Sequence, residues 1–305
     1  MSEQEPLAPS WLNPVEVFLQ YLKYEKNYSA HTLLQYRLQL VEVANFLQNK
    51  AESWLKVQPE QLRAYSMSLK ARALSARTIN LKLSCVRSFY KYLQIRKTEL
   101  NNPAEAIKGP KFQKPLPKNL DVDQMHQLLA MNPEDSFGFR DKAMMELMYS
   151  SGLRVSELVN ANLIDVNLRE KEIRVLGKGN KERILPIGGK AIEALQDWLK
   201  CRAEFALPDE VAVFVSKKKC RISTRQVRAR MKLWGINQGI SSQIHPHKLR
   251  HSFASHMLES SGDLRAVQEL LGHSSLSATQ VYTHLDFQHL AKVYDNTHPR
   301  AKKQR

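Results

Sequence analysis

A break in periodicity at residues 98–118 constrains this chain more than any other feature. Its later part, NNPAEAIKGPKFQKPLPK, holds four prolines and scattered lysines, so neither a helix nor a strand is expected to run through it. The segment predicts a linker able to span on the order of 60 Å when extended. It divides the chain into a helical domain at residues 11–97, a mixed domain at 119–298 and a basic tail at 299–305.

On the N-terminal side, apolar residues recur at helical spacing. Val15, Phe18, Leu19 and Leu22 form one stripe, and Leu33, Tyr36, Leu40, Val43 and Leu47 form the next. Pro59 opens a third segment ending near Arg72. Ser75 is placed to cap a fourth that turns Ile79, Leu83, Val86, Phe89, Tyr90 and Leu93 inward. The prediction is a compact four-helix domain. The polar side of its last helix carries Arg77, Asn80, Lys82, Arg87 and Lys91, side-chain types that suit phosphates and base edges. A plain solvated basic face is an equal reading of any one of them.

Charge sharpens the choice of partner. Lys and Arg number 46 against 30 Asp and Glu, a net charge of +16, which points to a polyanion such as nucleic acid. The excess is even: residues 1–117 hold 17 basic and 9 acidic side chains, and residues 118–305 hold 29 and 21. Both parts therefore face the same partner, as in a clamp that encloses a duplex. No apolar run approaches the roughly 20 residues that cross a bilayer. The opening MSEQEPLAPSWLNP has neither the basic nor the apolar region of a signal peptide, so a cytoplasmic protein is expected. Cys85, Cys201 and Cys220 are isolated, which disfavours a disulfide framework or a zinc knuckle.

In the second part, residues 121–131 and 140–149 are helical in pattern, and Gly152 ends one helix before another begins around Val155. Residues 172–176 and 183–187 flank the turn Gly177-Lys178-Gly179-Asn180, the composition of a hairpin. A helix at 190–202, a short strand at 211–215 and further helices to about Tyr294 follow, punctuated by Pro246, Gly262 and Gly272. This is a mainly α domain with a small antiparallel β-sheet.

The densest cluster of catalytic residue types is His245-Pro246-His247-Lys248-Leu249-Arg250-His251. His247 and Arg250 lie three apart on a helix opening at Pro246 and share a face, while Leu249, Phe253 and Met257 anchor another. A guanidinium offers a planar fork for two phosphate oxygens, and an imidazole moves a proton near neutral pH. His247 and His251 have the spacing of a zinc pair, but Lys248 stands where that motif needs Glu. Gly177-Lys178-Gly179 falls short of a nucleotide-binding loop. Neither a metal nor ATP is expected. Taken singly, Arg154 reads as a surface partner of Glu157 or Glu146, His273 as a residue closing a helix end, and Tyr282 as core.

Together these residues resemble the tyrosine recombinase (phage integrase) family. Its pattern is Arg in G-L-R-x-x-E-L, Lys on a β-hairpin, H-x-x-R, L-G-H and a Tyr about nine residues on. Here the matching positions are Arg154, Lys178, His247, Arg250, His273 and Tyr282. The resemblance covers residues 11–303. The ending, Tyr282-Thr283-His284-Leu285-Asp286-Phe287-Gln288-His289-Leu290 and then His298-Pro299-Arg300-Ala301, is similar to the branch that acts with a XerD-type recombinase on chromosome dimers.

The resemblance implies a two-domain C-shaped DNA clamp, with an N-terminal SAM-like core-binding domain and a C-terminal catalytic domain. It implies Tyr282 as the nucleophile that forms a 3′-phosphotyrosyl link, Arg154 and Arg250 on the non-bridging oxygens, and Lys178 as the acid for the leaving 5′-oxygen. His247 would handle protons on the tyrosine side, His273 would hydrogen-bond the scissile phosphate, and Glu157 would brace Arg154. It also implies a XerD-type partner in a heterotetramer on a double-stranded recombination site, with a cell-division DNA translocase as activator. A phage or integron integrase, a non-catalytic DNA-binding regulator and a tyrosine-type topoisomerase remain as rivals. Leu285, Phe287, Leu290 and Val293 form an amphipathic continuation that docks either on a neighbour or on its own chain.

Overall fold

The protein is described from a computed structural model, over residues 7–96, 101–111, 119–177, 182–271, 294 and 297–301. It divides into two compact units, Met1–Pro115 and Leu116–Arg305. The first is built from α1 (Pro9–Tyr24), α2 (Ala30–Leu47), α3 (Pro59–Ala71) and α4 (Ala76–Arg96). Local chemistry sets their starts. The Ser29 and Ser75 hydroxyls accept hydrogen bonds from the Thr32 and Thr78 amides, at 3.3 and 3.1 Å, and prolines occupy the first turns of α1 and α3. The core is aromatic. Trp54 donates its indole N–H to the Trp11 carbonyl at 2.9 Å and packs edge-on against Trp11 and Phe89, with ring centres 5.0 and 4.8 Å apart.

Two features of this unit correct the sequence reading. Lys82 does not lie on an open basic face: it is buried, its ammonium donates to Gln39 Oε1 at 2.6 Å and it pairs with Glu42. Glu42 reaches across from α2 and also holds Arg72 at 2.7 Å. Asn80 is likewise engaged, donating to the carbonyls of Ala76 and Pro110, both at 2.8 Å. Arg77 is exposed and Arg87 half-buried. The second correction concerns the expected linker, whose early part is folded. Ala104 and Ile107 are buried in the helical core, and Gly109 lies so close to the Asn80 side chain that a Cβ would overlap it.

The second unit contains α5 (Val122–Leu129), α6 (Ser136–Ser151), α7 (Val155–Asn160), β1 (Val166–Asn167), β2 (Glu172–Leu176), β3 (Glu182–Pro186), α8 (Gly189–Arg202), α9 (Thr224–Asn237), α10 (Pro246–Ser261) and α11 (Leu264–Leu271). The sheet is antiparallel in the order β1-β2-β3, with Ile173 opposite Leu185 and Val175 opposite Arg183. Helix α6 is central and buried almost all round, packed against α8 and α10. Leu249, Phe253 and Met257 of α10 are buried as expected. Among the described residues no helix is long and apolar enough to cross a membrane.

The expected strand at 211–215 is replaced by isolated bridges, Asn162 with Ala212 and Val215 with Arg221. Side chains take three of its carbonyls, with Trp198 Nε1 donating to Val213 and Arg202 Nε to Ala212, each at 2.9 Å, and Arg140 Nη1 to Val215 at 3.0 Å, while the Leu163 and Ile222 amides take those of Val211 and Phe214. The β-branched run therefore marked burial and not a strand ladder. The two-residue β1 has no sequence signature of its own.

Within the basic tail expected at 299–305, residues 299–301 are held against this unit's core. Arg300 pairs with buried Glu146, and Gly189 N–H donates to the Ala301 carbonyl at 3.0 Å. Tyr294 shares a 2.8 Å hydrogen bond with Ser150 Oγ. Residues 285–293, assigned from sequence to an amphipathic docking segment, lie outside the described residues.

One polar knot inside this unit should be costly to cut. Asp141 has no exposed surface and accepts from Arg140 at 2.7 Å, Trp234 Nε1 at 3.0 Å and Arg230. Asp141→Ala strands two partly or wholly buried guanidiniums and should cost about 3–5 kcal/mol. That corresponds to a melting temperature lower by on the order of 10 °C, measurable by calorimetry.

Candidate active site

Helix α6 ends at Gly152, whose backbone is left-handed (φ 59°). No other residue fits, because a Cβ there would come within 2.5 Å of the Phe253 ring as well as meeting the φ penalty. This stop turns the chain through buried Leu153 and delivers Arg154 to the start of α7. Glu157, one turn on and buried, accepts the Arg154 amide at 2.8 Å and its Nη1 at 2.9 Å. The alternative partner considered from sequence, Glu146, is committed to Arg300.

Glu157 has a second guanidinium. Arg183 of β3 donates Nη1 and Nη2 to its two oxygens at 3.0 and 2.9 Å, so one carboxylate bridges two arginines. Burial pushes the Glu157 carboxyl up, but the Arg183 and Arg154 donors outweigh it and the net shift is downward. Glu157 is therefore a carboxylate at neutral pH. Arg183 is a functional candidate that the sequence reading missed. The available signal was strand alternation, which puts Arg183 on the same inward face as Leu185, a charged residue at a core position.

Arg250, from α10, completes the group. It is 8% exposed, and its Nη1 and Nη2 donate to the carbonyls of Gly152 and Leu271. Burial, and next the charge of Arg154, bring its pKa down to about 10. It stays a cation at neutral pH while being more ready than an ordinary arginine to gain from an anion. His247, one turn earlier and exposed, is held below the usual imidazole value by partial burial, then by His251, Arg228, Arg250 and Arg154. Its ring is neutral at pH 7 and able to accept a proton. Arg228→Ala removes one of these cations, so the His247 midpoint should rise toward the ordinary value of about 6.5. Following the imidazole Cε1–H by NMR against pH checks this, and an unmoved midpoint contradicts it.

The structure thus gathers Arg154 and Glu157, at the start of α7, with His247 and Arg250 of α10. Lys178, His273 and Tyr282 lie outside the described residues. The arginines at 154, 183 and 250 against Glu157 leave two positive charges in excess. A phosphodiester carries one negative charge and its pentacoordinate transition state approaches two. The cluster is therefore better matched to the transition state than to the ground state, which is the condition for catalysis.

Known proteins agree with this chemistry. Residues 118–289 match the model of the phage integrase family, and residues 15–97 match that of the phage integrase N-terminal SAM-like domain. The chain is 51% identical to tyrosine recombinase XerC of Psychromonas ingrahamii over 306 residues, covering 100% of both chains. It is 51% identical to that of Histophilus somni, covering 95% of this chain and 99% of the relative. Among solved structures, a XerH site-specific recombinase bound to palindromic difH substrate aligns with a TM-score of 0.67 at 21% identity, covering 92% of this chain and 83% of that one. The Tn1549 transposon integrase in complex with transposon right-end DNA aligns equally well, with a TM-score of 0.67 at 16% identity over 87% of this chain and 95% of that one. These two likenesses concern the fold. With the family models and full-length relatives in agreement, the chain belongs to the tyrosine recombinase (phage integrase) family, in its XerC branch, and is a DNA strand-transferring site-specific recombinase.

Proposed function

We propose that this recombinase resolves chromosome dimers and plasmid multimers to monomers for segregation at cell division, in the cytoplasm, as a heterotetramer with a XerD-type partner. A cell-division DNA translocase is the activator in this reading. The observation that carries the chemistry is the excess of two positive charges among Arg154, Arg183, Arg250 and Glu157. The full-length identity to XerC relatives supports the biological setting.

In the reaction Tyr282 attacks the scissile phosphorus. Its Oη–P bond forms as the P–O5′ bond breaks, leaving a 3′-phosphotyrosyl link and a free 5′-hydroxyl. A phenol with a pKa of about 10 is a weak nucleophile at pH 7, and neutral His247 takes its proton. Arg154 and Arg250 hold the non-bridging oxygens, His273 donates a hydrogen bond to the same phosphate, and Lys178 protonates the departing 5′-oxygen. Glu157 orients Arg154. Attack by the partner strand's 5′-hydroxyl reverses each transfer with new connectivity, so no bond energy is lost and no ATP enters the strand transfer. The folded helical domain at 11–97 grips the duplex together with the catalytic domain at 119–298. Arg77 and Arg87 are its candidate DNA contacts; Asn80 and Lys82 are committed to internal partners.

A direct test uses a duplex bearing the chromosome-dimer-resolution site of the same genome, with and without the XerD-type partner. Expected are covalent adducts at that site and recombinant products only when both proteins are present. Full recombination by this chain alone, or adducts at random positions, would point instead to an integrase or a topoisomerase.

A further inference from the structure

We infer that Arg183 is a positioning residue for the strand-transfer reaction: by sharing Glu157 with Arg154, it keeps Arg154's positive charge available to the scissile phosphate. The inference rests on the assignment of Arg154 and Arg250 to that phosphate, and it concerns a residue outside the family pattern of Arg, Lys, His, Arg, His and Tyr.

The geometry is specific. Arg183 is 7% exposed, and it meets both oxygens of Glu157 through two nearly equal bonds of 3.0 and 2.9 Å. Arg154 meets the same carboxylate through a backbone amide and a single Nη1 bond. With Arg183 absent, the one negative charge of Glu157 would neutralise Arg154 alone, and the cluster would drop from two excess positive charges to one. A bidentate guanidinium opposite Arg154 prevents that. Arg183 also fixes the carboxylate plane, and with it the angle at which Glu157 holds Arg154.

Placement supports a role beyond packing. Arg183 sits on β3 opposite Val175, where an apolar side chain would serve the core as well. Its Nε is buried and finds no acceptor among the described residues, a cost that a merely structural arginine gives no reason to carry. Arg183 and Arg154 also act together on Arg250, whose pKa both depress.

The test is a double-mutant cycle on the full-length protein. The readouts are the single-turnover rate of covalent adduct formation on a nicked suicide duplex bearing the dimer-resolution site, DNA affinity by gel shift, and melting temperature. Arg183→Met is expected to slow cleavage tenfold to about a hundredfold at saturating protein, with little change in affinity. Arg183→Lys keeps the charge and is expected to recover part of the rate. In a Glu157→Gln background, where no carboxylate needs sharing, Arg183→Met should cost at most about threefold. If Arg183→Met and Glu157→Gln instead multiply independently, or if Arg183→Met cleaves at the native rate, the inference is overturned. Arg183→Gln covers the case in which the methionine variant fails to fold: it removes the charge and keeps hydrogen-bonding groups, so a native cleavage rate for the folded glutamine variant also overturns the inference. Arg154→Ala separates the two levels: if it cleaves normally, the assignment of the phosphate to this cluster fails; if it is inactive while Arg183→Met is not, only the inference fails.

Discussion

Replacing Arg250 by alanine lowers the single-turnover rate of covalent adduct formation about a hundred- to a thousandfold at saturating protein, equivalent to roughly 3–4 kcal/mol of transition-state stabilisation. The size follows from the site. Arg250 is buried, its pKa is brought down to about 10, and two backbone carbonyls fix the direction of its guanidinium. A cation that is already desolvated and oriented interacts with an anion more strongly than a surface arginine does, and reorganises little during the reaction. Alanine removes that charge and strands the carbonyls of Gly152 and Leu271. Arg250→Lys restores the charge without the fork, so an ammonium holding one carbonyl cannot also hold the second and the phosphate. It is expected to regain only a small part of the rate. Affinity for the duplex, spread over many basic side chains, should change far less than the rate in either variant. A rate within threefold of native for Arg250→Ala would remove the arginine cluster from the mechanism.

Much of this was legible in the sequence wherever local chemistry decides the outcome. The start of α4 follows from Ser75, read from the sequence as its cap, and that of α10 from Pro246. The Gly152 stop was equally visible, and with it the position of Arg154. Helical spacing paired His247 with Arg250, and the resemblance to the recombinase pattern joined Arg154 to them. What escaped were matters settled between distant segments. Lys82 turns inward because Glu42 waits 40 residues earlier in the chain, and no helical periodicity contains that fact. Arg183 becomes important only once β3 is laid beside α7. Residues 211–215 have the composition of a strand, but Trp198 and Arg202 claim the carbonyls of Val213 and Ala212. Arg300 looked like a tail residue until buried Glu146 gave it a partner.

The central claim is that strand transfer passes through a bond between Tyr282 and the 3′-phosphate, and removing one oxygen tests it. Tyr282→Phe keeps the aromatic ring while deleting the atom that forms the bond, so folding and DNA affinity should be unchanged. No other hydroxyl in the proposed site is assigned to attack the phosphate, and nucleophile removal in enzymes with a covalent intermediate typically costs on the order of 10⁶ in rate. The measurement is denaturing electrophoresis of the full-length variant after incubation with a labelled, nicked suicide duplex bearing the dimer-resolution site. The prediction is a normal gel shift with no covalent protein–DNA species, beside a native protein that accumulates one. A covalent species formed by Tyr282→Phe at the native rate would contradict the mechanism and require another nucleophile.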